Sequence, residues 1–329
     1  GGFFHHWQPY TGVLSMINQG GYLLWDVPSQ YGFLSLLTIY IFPVVDPWLK
    51  LYYINGIINL SIAIISFYII WNKKGIIWYF ITFILIFSIN FILTGGSENF
   101  ENLSQVPSSN GLRYCWFFFI TCIFYFIRNY SFLAKSLIVL PFWTIGFFWS
   151  VESAFYVSSI IGGYLLYICF LSKITIKERI IITLLFPFSL LISLIFISSF
   201  YFINIGHLPD FFSFIEYAGI WVNHEDISLN NGRPSFFNLK GSVWIILFIF
   251  SFFLFLKNKI DKNYEYLWFI IIFGLWSIFS YSIPQSNDAI ILNLLYYFIT
   301  CTFIVFNILI KKYFDISLKI FYPIIIFIL

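Results

Sequence analysis

Hydrophobic positions in this chain do not alternate with polar ones at the period of a surface helix or strand; they come in long runs broken by short polar connections. Runs long enough to cross a bilayer, allowing for tilt and frayed ends, fall near 48–71, 76–94, 111–127, 136–150, 153–172, 180–203, 242–257, 267–282, 289–310 and 316–329. An untilted crossing needs about 20 apolar residues, so 136–150, 242–257 and 316–329 are the marginal ones. The pattern predicts an all-α, polytopic transmembrane helical bundle of about ten spans, organised as a single transmembrane domain over 1–329. No internal repeat and no linker divides it.

The polar connections alternate in sign. Lys73/Lys74, Arg128/Lys135, Lys173/Lys177/Arg179, Lys257/Lys259/Lys262 and Lys311/Lys312/Lys319 fall on every second junction, which the positive-inside rule assigns to the cytoplasm. These junctions hold 13 of the 17 Lys and Arg, while all but Glu178, Asp261, Glu265 and Asp315 of the 14 acidic residues face the other way. That parity holds only if 31–44 (YGFLSLLTIYIFPV) does not cross. It and 5–18, which ends at Gly20-Gly21, are therefore read as helices lying in the interface, within an outer segment 1–47. A second long outer loop covers 204–241. The chain opens at Gly1-Gly2 without Met, a basic n-region or an apolar h-region, so an upstream segment carrying one more span is expected.

Composition agrees: 60% hydrophobic and 9% charged is far from a soluble domain, so the bilayer is the expected partner. The net charge of +3 reflects segregated charges rather than a phosphate-tracking patch, and a nucleic-acid partner is not expected. Cys115, Cys122, Cys169 and Cys301 lie in apolar runs without CxxC spacing and read as packing residues.

Ionisable residues near membrane depth are costly unless they have a task or a partner. Three groups qualify. The first is His5, His6, Gln8, Tyr10, Asp26, Gln30 and Tyr31, on the interfacial segments; a carboxylate here can serve as general base and an imidazole can bind phosphate. The plainer reading is that Asp26 organises the turn before Pro28 and the histidines sit among headgroups. The second is Glu152 in FFWSVESAFY, where almost no loop separates two runs; such a carboxylate must be neutral or find a cation, unless it only caps a helix after Ser150. Arg113, at the start of a run (SSNGLRY), is the natural partner for Glu152 or for a ligand phosphate, or it snorkels to the interface. The third is the 204–241 loop, with His207, Asp210, Glu216, His224, Glu225, Asp226, Arg233 and Lys240 among aromatics. His224-Glu225-Asp226 has metal-ligating residue types, but three adjacent loop residues do not converge unaided; no metal and no cofactor are expected. No nucleotide loop, GxSxG elbow or HExxH motif is present.

The opening stretch FFHHWQPYTGVLSMINQGGYLLWDVPSQYGFLSLL resembles the first outer loop of the GT-C superfamily of polytopic membrane glycosyltransferases: polar pair, interfacial helix, Gly-Gly, Asp, Tyr-Gly, second interfacial helix. WSVESAFY and SSNGLRY resemble elements of uncharacterised bacterial members. The resemblance covers about the first 50 residues and the general topology. It implies inverting transfer of a sugar from a polyprenyl-phosphate donor to a lipid or glycan acceptor on the outer face of a bacterial plasma membrane. In such a reading Asp26 or Glu152 is the base, and His5, His6, Gln30, Tyr31, Arg113, His224, Glu225 and Arg233 contact substrate. The family's catalytic Asp usually follows the first span directly, a place that falls at or before Gly1, so either the base belongs to the expected upstream segment or Asp26 or Glu152 serves. The rival readings are a polymerase or ligase of lipid-linked glycans, marked by essential arginines without an essential carboxylate, and a transporter or lipid flippase, which needs polar residues along a path across the bilayer.

Overall fold

The computed structural model describes residues 2–29, 31–71, 111–216 and 264–285. Among the described residues there is no strand, and eight helices account for nearly all regular structure: α1 (Gly2–Asn18), α2 (Leu34–Ile41), α3 (Pro47–Trp71), α4 (Gly111–Phe126), α5 (Phe132–Trp149), α6 (Val151–Phe170), α7 (Ile176–Ile205) and α8 (Glu265–Gln285). Four of them, α3, α5, α6 and α7, are long and apolar enough to cross a membrane. The chain is an integral membrane protein. The expected runs at 76–94, 242–257, 289–310 and 316–329 lie outside the described residues.

The helix ends are set by side-chain chemistry. Ser131 starts α5, its hydroxyl accepting from the Ala134 N–H at 3.3 Å, and Ser150 starts α6 by accepting from Ser153 at 3.1 Å. Thr175 and Glu178 form a reciprocal capping box at α7, and Gly206, with φ +80°, closes its far end in the left-handed conformation. Arg179, on the first turn of α7, donates at 2.9 Å to the Cys169 carbonyl in the last turn of α6 and at 2.6 Å to the Ser172 carbonyl just beyond it. Pro141 and Pro187 lie inside α5 and α7. Close to both prolines in sequence, Thr144 and Ser189 share a hydrogen bond of 2.8 Å, a polar link between spans of the kind that steadies proline-containing helices in lipid.

Consecutive helices α4 to α7 run antiparallel. The turns after α4 and α6 bring Arg128, Lys135, Lys173, Lys177 and Arg179 to one end, and the start of α8 joins them, with the Tyr264 hydroxyl on Asn129 at 3.3 Å. The α3 terminus reaches the same lysine-rich end, where Tyr68 packs on Phe126. α6 is the central span, packed on α4, α5, α7 and α8. Half of its apolar window is buried, against 11% for α7, which flanks the bundle and turns most of its apolar surface outward. Without a hydrophobic drive between helices in lipid, close approach depends on small residues. Gly163 lets α6 reach α8: a Cβ there would lie 2.7 Å from the Phe269 carbonyl oxygen. An aromatic core of Phe124, Phe132, Tyr164, Tyr167 and Tyr266 fills the lysine-rich end.

At the far end α1 packs on α2 and α3, and α2 on α3 and α5. α1 ends in the turn at Gly20, whose φ of +98° favours glycine. Residues 22–27 then close a small loop: Asp26 and Val27 donate their N–H groups to the Tyr22 carbonyl at 3.2 Å, and the Tyr22 N–H donates to Asp26 Oδ1 at 2.6 Å. Leu23 and Leu24 are buried beneath it.

Candidate functional site

Three elements meet at the far end. Gly32, with φ +108°, lays its backbone on the turn between α5 and α6 so closely that a Cβ would stand 2.0 Å from the Trp149 carbonyl oxygen. Trp149 is itself fixed by donating its indole N–H to the Leu112 carbonyl at 2.6 Å, which ties the start of α4 to the same turn. Ser29 and Ser35 donate to the Gly32 and Tyr31 carbonyls at 2.9 and 2.8 Å and hold the 29–35 loop in shape.

This arrangement brings Arg113, from the first turn of α4, to Glu152, in the first turn of α6. The guanidinium donates through Nη2 to Glu152 Oε1 in an ion pair whose side chains are 13% and 11% exposed. The Arg113 guanidinium carbon lies 4.9 Å from the Tyr31 ring centroid and 5.3 Å from that of Tyr114, within cation–π range. Tyr10, fully buried on α1, stacks on Tyr31 with centroids 5.0 Å apart and planes 10° from parallel. Burial pushes the Tyr10 phenol well above its ordinary range; Tyr31 adds to the rise, while Arg113 opposes it. Glu152 Oε2 is buried and accepts no hydrogen bond among the described residues. The pair thus keeps one carboxylate oxygen with hydrogen-bond accepting capacity beside a guanidinium, a side chain whose geometry suits carboxylates and phosphates.

The 22–27 loop docks elsewhere, on the far end of α7. The Tyr201 hydroxyl donates to the Leu23 carbonyl, Asp210 donates its N–H to the Leu24 carbonyl at 2.7 Å, and Trp25 stacks on His207 at 4.7 Å. Asp210 also begins the helical turn 211–216; the Ser213 N–H, at 2.9 Å, and its hydroxyl hold the Asp210 carboxyl below the usual range. Two groups that the sequence separates, the first outer segment and the start of the 204–241 loop, thus form one surface.

Of the residues expected at a site, Tyr31, Arg113 and Glu152 come together. Asp26 is exposed, and its carboxylate is engaged by its own loop beside Tyr201 rather than by the ion pair. His5 and His6 lie on α1 with side chains outside the described residues, as do Gln30, His224, Glu225 and Arg233 entirely. Tyr114 and Trp149 belong to the site although sequence reasoning passed over them; their signal is adjacency to the polar residues in GLRY and WSVES. Among the described residues no three His, Cys, Asp or Glu side chains gather as metal ligands. No protein-family model matches the chain, and no curated protein or solved structure is significantly similar to it.

Proposed function

We propose that this protein is a membrane glycosyltransferase of the GT-C type, moving a sugar from a polyprenyl-phosphate donor to an acceptor hydroxyl, with Arg113 and Glu152 at its reaction centre. The observation that carries this reading is the buried Arg113–Glu152 pair with Glu152 Oε2 unused. The far end is taken as extracytoplasmic because the basic residues crowd the opposite one. The acceptor hydroxyl donates to Glu152 Oε2. As its oxygen bonds to the anomeric carbon from the face opposite the phosphate, Glu152 takes the proton and the carbon–oxygen bond to phosphate breaks, leaving the electron pair on polyprenyl phosphate. Arg113, already beside the carboxylate, meets the charge growing on that phosphate, a role that its forked donors suit. Asp26 organises the loop above and is not the base.

The test is transfer from radiolabelled polyprenyl-phosphate sugars in membranes. Glu152→Gln is expected to lower the rate about 10²–10⁴-fold, the usual contribution of a positioned base, with the protein still monodisperse on gel filtration; Asp26→Asn is expected to lower it far less. Full activity of Glu152→Gln, or no donor consumed by any form, would overturn the proposal. Loss on Arg113→Ala with Glu152→Gln active would instead point to the lipid-linked glycan polymerase or ligase class.

A further inference from the structure

A cavity of about 760 Å³ opens on the far half of the bundle between α5, α7 and the cap formed by α1 and α2. Thr144, Ile145 and Phe148 form one wall, and residues from Ile192 to Tyr201 form another. Leu34, Leu37 and Tyr40 of α2 lie across the top, with Gly20-Gly21 at its edge. Three of its hydroxyls are committed: Thr144 to Ser189, Ser193 to the Ser189 carbonyl at 2.9 Å, and Tyr201 to the Leu23 carbonyl, while Tyr22 and Tyr40 add two phenols to the lining. Most of the surface that an occupant meets is apolar. Ile192, Phe196 and Phe200 are 51%, 71% and 55% exposed and form an open lip on a helix that crosses the membrane, so the mouth opens onto hydrocarbon.

Two features say what enters. The stretch from Ile192 to Tyr201 covers nine residue steps, about 14 Å of helix at about 1.5 Å each. That is close to half of a hydrocarbon core about 30 Å thick, the depth of one leaflet. A polyprenyl chain long enough to cross the bilayer would overrun it. Beside the cavity, Lys50 donates to the carbonyl of the lining residue Tyr40 at 2.5 Å and sits 5.4 Å from the Tyr40 ring centroid, which puts a cation next to the α2 wall. Its ammonium has three N–H bonds, one of which serves Tyr40.

We infer that this cavity is a lateral binding site for a glycerophospholipid of the surrounding leaflet, one acyl chain lying between α5 and α7 and the headgroup phosphate meeting Lys50. The site does not depend on the transferase reading and is separate from the Arg113–Glu152 pair.

The probe is phosphatidylglycerol carrying a photoactivatable diazirine in mid-chain, reconstituted with the full chain in phosphatidylcholine nanodiscs, with adducts mapped by mass spectrometry. Adducts are expected to concentrate on 144–148 and 192–200, to fall several-fold with the cavity-filling changes Leu37→Trp or Ile145→Trp, and to fall about fivefold with Lys50→Gln. Two fillers from different walls guard against one misfolding, and gel filtration reports the fold of each. Adducts spread evenly over the exposed faces of α3 and α7 and indifferent to all three variants would overturn the inference. Displacement of the probe by equimolar polyprenyl phosphate, with no displacement by unlabelled phosphatidylglycerol, would overturn it in favour of a prenyl lipid.

Discussion

The Arg113 guanidinium and the Glu152 carboxylate neutralise one another where neither has water enough to stand alone, and the energetics are asymmetric. Removing one partner leaves an uncompensated charge, so Arg113→Ala or Glu152→Gln is expected to destabilise the folded protein by about 3–5 kcal/mol or its equivalent in melting temperature; the double change Arg113→Met with Glu152→Gln should cost much less than the sum. Thermal unfolding in detergent of both singles and the double gives the coupling directly, and strict additivity would argue against a mutual role. The second expectation concerns Tyr10. Its folded-state value is raised above the ordinary 10.0, so stability is fully present below pH 10 and is lost as pH rises through the folded value. Tyr10→Phe should flatten that alkaline decline, read by unfolding midpoints across the range. Sequence reasoning reached the Arg113–Glu152 partnership because each residue, at the edge of an apolar run, demanded a counter-charge. It could not separate Asp26 from Glu152 as candidates, because what engages Asp26 is the Tyr22 backbone N–H, which composition does not reveal.

Between helices, the sharpest contrast lies in two glycines. Gly32 and Gly206 both have positive φ, but a Cβ on Gly206 meets nothing within 4 Å, whereas one on Gly32 collides with the Trp149 backbone. Gly206→Ala should therefore cost only the left-handed penalty, about 1–2 kcal/mol. Gly32→Ala should also unseat the 29–35 loop and expose Tyr31 to proteolysis or hydrogen exchange; equal effects would contradict the seating described. The expected runs 48–71, 153–172 and 180–203 correspond to α3, α6 and α7, yet α5, α6 and α7 begin two to four residues earlier than the runs do. The reason is that a hydrophobic run excludes the polar first turn, Ser131 to Lys135 or Thr175 to Arg179, which the helix needs for its caps. α1 is likewise helical over the expected 5–18 and ends in the turn at Gly20-Gly21. Its docking through Tyr10 on Tyr31 was not legible, since contacts between elements distant in sequence leave no period.

At the scale of the molecule, charge is biased by end: Arg128, Lys135, Lys173, Lys177 and Arg179 outnumber Glu178 and Glu265 at one, while Asp26, Glu152 and Asp210 share the other with Lys50 and Arg113. Single cysteines placed at Lys173 and at Tyr22, in a chain freed of its own cysteines, should react with an impermeant maleimide from opposite faces of sealed cells, Tyr22→Cys when intact and Lys173→Cys only after permeabilisation. Labelling of both from one side would refute the orientation. That sorting was readable from sequence because a lysine's cost in hydrocarbon is local and does not wait for tertiary structure. The union of the first outer segment with the end of α7 was not, because it rests on Tyr201, Trp25 and His207, ordinary residues in an aromatic-rich chain.

Arg179 adds a dimension of time. A chain emerging from the N-terminus presents α6 while the Cys169 carbonyl, and that of Ser172 just beyond the helix, still lack the guanidinium that arrives only with the first turn of α7. The connection between the two helices is therefore completed when the second one starts, before α7 has run its length.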